Sequence, residues 1–192
     1  MSDKKVLGMS LFGIVKSSEP WKKAHEIGMK ELSERAKMPE LIEKVDSEHY
    51  FNFVKKALEK IDEYKDLPEN ERVSLRRSQY FDRVFDLIKL GDYIDEDFVS
   101  FLKELKEIYS LVLITTNSLE FVEDVLKFAH AEDLFENIIT LDPEEEDDKE
   151  LTFDKAMKEL KKLDLFVGND RSGEACRSRG IEFIKYKGLD EL

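Results

Sequence analysis

The chain opens with an apolar run, Val6–Val15, that reads as a strand, and no second strand candidate follows until Leu111–Thr115. The first run carries β-branched and large residues, with Gly8 and Gly13 inside it. Its first half reads as a buried strand and Gly13 as a turn just beyond it. A helical stretch opens at Glu19-Pro20-Trp21, where Pro20 suits a first helical turn. From there to Gly91 only helical periods are found. Phe51, Val54, Ala57, Leu58, Ile61 and Tyr64 share one apolar helix face, and Val73, Tyr80, Phe81, Val84, Phe85 and Ile88 share another. Pro68 disfavours helical geometry at Leu67 and separates the two.

After Gly91 the pattern changes to alternating helix and strand. Phe98, Phe101, Leu102 and Leu105 mark a helix, and Leu111–Thr115 reads as a strand buried on both faces. Asn117, with Glu120 three residues on, reads as a helix N-cap and its reciprocal partner. Asn137–Thr140 reads as a short strand, Thr152–Leu160 as a helix, Leu163–Val167 as a strand and Arg171–Ser178 as a helix. Gly180 is a stop before a last strand, Ile181–Ile184. Strand and helix alternating at this spacing imply right-handed crossovers and a parallel sheet. The predicted fold class is therefore α/β: a three-layer Rossmann-like parallel sheet core, residues 1–16 and 91–192, with an all-helical cap domain of residues 17–90 inserted after the first strand.

Composition limits the partners. A formal net charge of −13 repels nucleic acid and anionic membrane surfaces, so neither is an expected partner. Cys176 is the single cysteine, so the chain can form no internal disulfide, and a reducing, cytoplasmic setting is expected. The N-terminal apolar run is too short to span a membrane. His25, His49 and His130 fall in or near helices, away from any Cys or Asp cluster, and read as ordinary surface or core residues.

Four segments lie at the carboxyl ends of predicted strands or just after, where open parallel sheets bind ligands. They are Val6–Val15, Leu111–Ser118, Lys149 with the helix that follows it, and Asp164–Asp170. Their order and spacing resemble the four active-site motifs of the haloacid dehalogenase superfamily of phosphatases and dehalogenases. That family's first motif reads Asp-x-Asp-Gly-Thr, where this chain has Ser10-Leu11-Phe12-Gly13-Ile14.

The resemblance implies the residue roles. Ser10 takes the position of the nucleophile and Phe12 that of the general acid/base. Thr116, followed by Asn117, takes the position that binds the transferring phosphoryl group. Lys149 takes that of the cation which neutralises the phosphorylated intermediate, and Lys155 is an inferior alternative. Asn169 takes the position of an aspartate that coordinates Mg²⁺, with Asp170 next to it. The acidic run Asp142–Asp148 reads as a solvated loop.

Serine is a poor nucleophile without an adjacent base, and Phe12 cannot move a proton. Two usual carboxylate ligands are replaced, so no metal cofactor is expected. The expected function is that of a haloacid dehalogenase-like protein that has lost aspartyl chemistry. It would act as a binding or interaction module for a small anion or a protein partner. The alternative is a divergent hydrolase that acts on a small phosphorylated metabolite with Mg²⁺. The sequence does not speak to oligomeric state.

Overall fold

The computed structural model describes residues 4–43, 50–141 and 148–186. It divides into two compact units, residues 1–18 with 88–192, and residues 19–87.

The first unit is built on a five-stranded, wholly parallel sheet. Its strands are β1 (Lys5–Met9), β2 (Tyr109–Ile114), β3 (Asn137–Ile139), β4 (Leu165–Gly168) and β5 (Glu182–Lys185), in the order β3-β2-β1-β4-β5. Parallel neighbours need crossovers, and in this unit these carry α5 (Glu96–Lys106), α6 (Leu119–Phe128), α7 (Lys149–Leu160) and α8 (Asp170–Ser178). Val112, Ile114 and Phe166 pack with Phe153, Ala156 and Cys176 into one core. Leu111 and Leu113 point to the opposite face, yet both are fully buried. The sheet is therefore covered on both sides, as its unbroken apolar runs require.

Phe153 and Phe166 meet edge to face with centroids 4.9 Å apart. A Cβ on Gly8 would lie 2.8 Å from Phe166 Cδ2, so a glycine in β1 leaves the Phe166 ring its place. Truncating either ring to alanine would cost about 3–5 kcal/mol. Arg179, the C-cap of α8, ties that helix to α7 through Glu150 at 2.5 Å and Asp154 at 2.6 Å.

Among the described residues the second unit is all helical: α1 (Glu19–Ala36), α2 (Glu40–Glu43), α3 (Tyr50–Glu59) and most of α4 (Glu69–Leu90). Met29, Leu32, Leu41, Ala57, Leu58, Ile61 and Tyr64 form its core. The apolar face read from Phe51 to Tyr64 is not one helix. α3 ends at Glu59, and Ile61 and Tyr64 are carried by tighter turns in which Ile61 N–H donates to the Leu58 carbonyl at 3.2 Å and Tyr64 N–H to the Ile61 carbonyl at 2.9 Å. Tyr64 is buried there because its hydroxyl donates to Gln79 Oε1 at 2.6 Å. Among the described residues no helix is long and apolar enough to cross a membrane.

Candidate functional site

The strand order reverses at β1: the chain winds from β1 through β2 to β3 on one side, then crosses to β4 and β5 on the other. Such a switch point opens a crevice at the strands' carboxyl ends. Met9 is in register with Leu113 of β2 and Val167 of β4, so Ser10 falls level with Ile114 and Gly168. Neighbouring strands lie about 4.8 Å apart. The register thus gathers Ser10, the Thr115-Thr116 pair and Asn169 along one edge of the sheet.

Ser10 is 4% exposed, and its hydroxyl has no hydrogen-bond partner among the described residues. Its N–H donates to the Val167 carbonyl at 3.4 Å. A general base would need to sit about 2.6–3.2 Å from that hydroxyl. His130 cannot supply one: it follows the far end of α6, at the opposite edge of the sheet. The Tyr186 phenol, just after β5, is pushed up from its usual value by burial and then by the charge of Asp95, so it stays protonated. His49 lies outside the described residues.

Phe12 is half-buried in the loop that follows, and its ring carries no group that can transfer a proton. That loop turns at Gly13, whose φ of +115° is a left-handed conformation open to glycine. It is held by Asp95 N–H donating to the Ile14 carbonyl at 2.9 Å and Lys16 N–H to the Tyr93 carbonyl at 2.9 Å. Asp95 also caps α5 by accepting from Phe98 N–H at 2.8 Å.

After β2 the structure corrects the cap read from the sequence. Asn117 is not the N-cap of α6. Its N–H and its Nδ2 both donate to Thr115 Oγ1, at 3.2 and 2.9 Å, so its amide folds back upon the strand end. Ser118 is the N-cap, and its side chain makes no capping bond. Ser118 therefore gives the first N–H groups of α6 no side-chain acceptor at the edge where the strands end. Thr116 follows Thr115 and is half-buried. Reading from sequence gives Thr115 no role of its own. The one signal for it is a hydroxyl at the end of a run otherwise wholly apolar.

Lys149 is the first residue of α7, not a residue ahead of it. Asp148 caps that helix by accepting from Glu150 N–H at 2.8 Å. Because α7 follows β3, its N-terminus returns from the carboxyl edge of the sheet. Lys155, further along the helix, donates to the Thr140 carbonyl at 2.9 Å beside a cavity of about 580 Å³ lined also by Ser118, Leu119 and Glu120. Residues 142–147, the body of the acidic run, lie outside the described residues.

Asn169 is the N-cap of α8; its Oδ1 accepts from Ser172 N–H at 3.3 Å and from Ser172 Oγ at 3.4 Å. Asp170 is exposed and paired with Lys185 at 2.8 Å. The donor set does not fit Mg²⁺, which favours several carboxylate or water oxygens in near-octahedral array. Of the residues at the positions read from sequence, Ser10 offers a neutral hydroxyl, Asn169 an amide engaged in a cap and Asp170 a carboxylate already paired. Among the described residues no group of three or more His, Cys, Asp or Glu side chains could hold a metal ion.

Comparison with known proteins agrees with this architecture. A family model described as haloacid dehalogenase-like hydrolase matches residues 12–170. No curated protein matches the chain in sequence. Among solved structures, the haloacid dehalogenase-like family protein SP0104 from Streptococcus pneumoniae superposes with a TM-score of 0.63 at 19% identity, covering 100% of this chain and 89% of its own. A HAD phosphatase from Thermococcus onnurineus does so with a TM-score of 0.55 at 19% identity, covering 98% and 88%. Magnesium-bound YfnB from Bacillus subtilis gives 0.53 at 10% identity, covering 95% and 88%. At such identities the likeness is one of fold.

Proposed function

The chain belongs to the haloacid dehalogenase-like hydrolase family, and on that premise we propose that it recognises a small phosphorylated anion at the carboxyl edge of its sheet without forming an aspartyl intermediate. The observation that carries this reading is Ser10: a buried hydroxyl with no partner among the described residues, at the end of the central strand, where the resemblance in motif order would put the family's attacking carboxylate. Phe12 offers no proton two residues on. What remains suits an anion. Ser118 does not cap the first turn of α6 with its side chain, and helix N-termini favour negative charge. Thr116 adds a hydroxyl and Lys149 a cation. The helical segment inserted after β1 is read as the cap of such folds, and its surface is the place for a protein partner. A cytoplasmic setting suits the lone, buried Cys176.

A second reading is a divergent phosphatase acting on a small phosphorylated metabolite with Mg²⁺. Family membership favours it, as does the likeness to a HAD phosphatase. It needs an attacking or proton-transferring group other than a carboxylate on β1, and Asp170 is the candidate. Mg²⁺-dependent hydrolysis of p-nitrophenyl phosphate separates the two. The binding reading expects no turnover above background. Turnover of about 1 per second or more that is lost in Ser10→Ala or in Asp170→Asn would establish the hydrolase instead.

A further inference from the structure

We propose that this site holds its anion without a divalent cation, and that Asn169 is the residue that commits it to do so. The inference rests on the reading of the sheet edge as an anion site. It departs from magnesium-bound YfnB, whose fold the chain shares.

A cation would need oxygens that Ser10, Asn169 and Asp170 do not offer. Asn169 spends its one side-chain oxygen on the cap of α8, where it accepts from both Ser172 N–H and Ser172 Oγ. The other end of the amide is an NH₂, which repels a cation and can donate to an anion. Asp170, the neighbouring carboxylate, is turned to Lys185 at 2.8 Å. Ser10 presents a neutral hydroxyl at 4% exposure. Mg²⁺ gives up its hydration shell reluctantly and is bound through carboxylates and phosphate. Neutral ligands cannot compensate for that loss.

An anion meets the opposite conditions. The Ser10 hydroxyl gains an acceptor, and Asn169 can donate through its NH₂ without leaving the cap. The lost carboxylates also remove repulsion. An aspartate at position 10 or 169 would oppose a phosphate dianion unless a cation stood between them, whereas serine and asparagine need no such bridge. The same substitutions that end aspartyl chemistry thus make the cation unnecessary.

The test uses the full chain, Mn²⁺ as a spectroscopic stand-in for Mg²⁺, and inorganic phosphate as the ligand. Two quantities are measured: Mn²⁺ bound, by electron paramagnetic resonance, and phosphate affinity, by calorimetry with EDTA and with excess Mg²⁺. A bridging metal would couple the two ligands by about tenfold or more. The expected result is no site-bound Mn²⁺ and the same phosphate affinity in both buffers. Stoichiometric Mn²⁺ binding that is lost in Asp170→Asn, or phosphate binding tightened about tenfold by Mg²⁺, would overturn the proposal.

If phosphate fails to bind in either buffer, the anion reading falls, and the Mn²⁺ measurement still decides the metal claim. Asn169→Asp keeps the α8 cap, since aspartate caps as well as asparagine. Paired with Ser10→Asp it is expected to create Mn²⁺ binding where the wild type has none. Should a buried carboxylate in the Ser10→Asp variant prevent folding, Asn169→Asp alone carries the test. A folded Asn169→Asp chain whose Mn²⁺ binding is unchanged would remove Asn169 from its assigned role.

Discussion

Asn117 Nδ2 donates to Thr115 Oγ1 at 2.9 Å, and the N-cap of α6 is Ser118 rather than Asn117. Thr115 is 3% exposed, so its hydroxyl is an acceptor that water does not replace. Thr115→Val removes that acceptor in nearly the same volume and leaves two donors of Asn117 without it. The expected loss is about 1–3 kcal/mol, read from the urea midpoint at unchanged slope. Asn117→Ala removes the donor instead and should cost less. The two costs should not add fully in the double variant, because both remove the bond from Asn117 Nδ2 to Thr115 Oγ1.

The turn after β1 depends on a backbone conformation. Gly13 has φ +115°, and a Cβ there would come within 2.5 Å of Phe98 Cε1. Gly13→Ala should therefore destabilise by about 1–3 kcal/mol from backbone strain alone, with the displaced Phe98 ring adding to it. Phe98 packs edge to face on Tyr186 with centroids 5.2 Å apart, so near-ultraviolet dichroism should change with the melting temperature. An unaltered spectrum in a folded variant would show that the turn relaxes without moving the ring.

Much of the architecture is legible in residue order because it is set by local pattern. Leu111–Thr115 reads as a strand buried on two faces, and Leu111–Ile114 do lie in β2; the want of any strand signal between Gly13 and Gly91 makes the helical unit an insertion. What the sequence misplaces depends on contacts remote in space or on a choice between equivalent local bonds. Asn117 has the chemistry of an N-cap, and the same chemistry lets it fold back on Thr115; sequence does not rank the two. Ile61 and Tyr64 keep a helical period because tight turns can carry a face onward after the helix has ended.

At the site, Ser10 and Phe12 at the positions that the resemblance assigns to two aspartates are plain in the sequence, whereas the isolation of the Ser10 hydroxyl is not. It follows from what β2 and β4 bring beside it. The resemblance puts Asn169 where the family holds a metal. Its work as the cap of α8 shows only where Ser172 closes the turn.

Cys176 gives the pH dependence its sign. The thiol is fully buried, and desolvation pushes its pKa up to about 11. An unfolded thiol ionises near about 8.5. The folded state therefore keeps its proton where the unfolded state has released it, and stability falls as pH rises from the lower value towards the higher. Below the unfolded value the thiol contributes no slope. The difference in unfolding free energy between the wild type and Cys176→Ala should be flat to about pH 8 and then shrink. Thiol reagents at neutral pH should label the chain only on unfolding. Rapid labelling of the native protein would mean that the helix pair around Cys176 opens far more often than its packing implies.

Salt separates the cation from the hydroxyl at the proposed anion site, because Lys149 acts through charge and Thr116 through a hydrogen bond. Lys149→Met should weaken phosphate binding most at low ionic strength, and the gap from the wild type should close as the Debye length falls from about 10 Å at 0.1 M salt to about 3 Å at 1 M. Thr116→Val should weaken binding by a factor that salt leaves nearly unchanged, corresponding to about 0.5–1.5 kcal/mol for one hydrogen bond to a neutral partner and up to about 3 to a charged one. Calorimetry at several salt concentrations checks both variants against the wild type. If Lys149→Met leaves phosphate affinity unchanged at low salt, the cation at this edge is another group. Lys155, whose ammonium lies 2.9 Å from the Thr140 carbonyl beside the cavity at the start of α6, is then the one to substitute next.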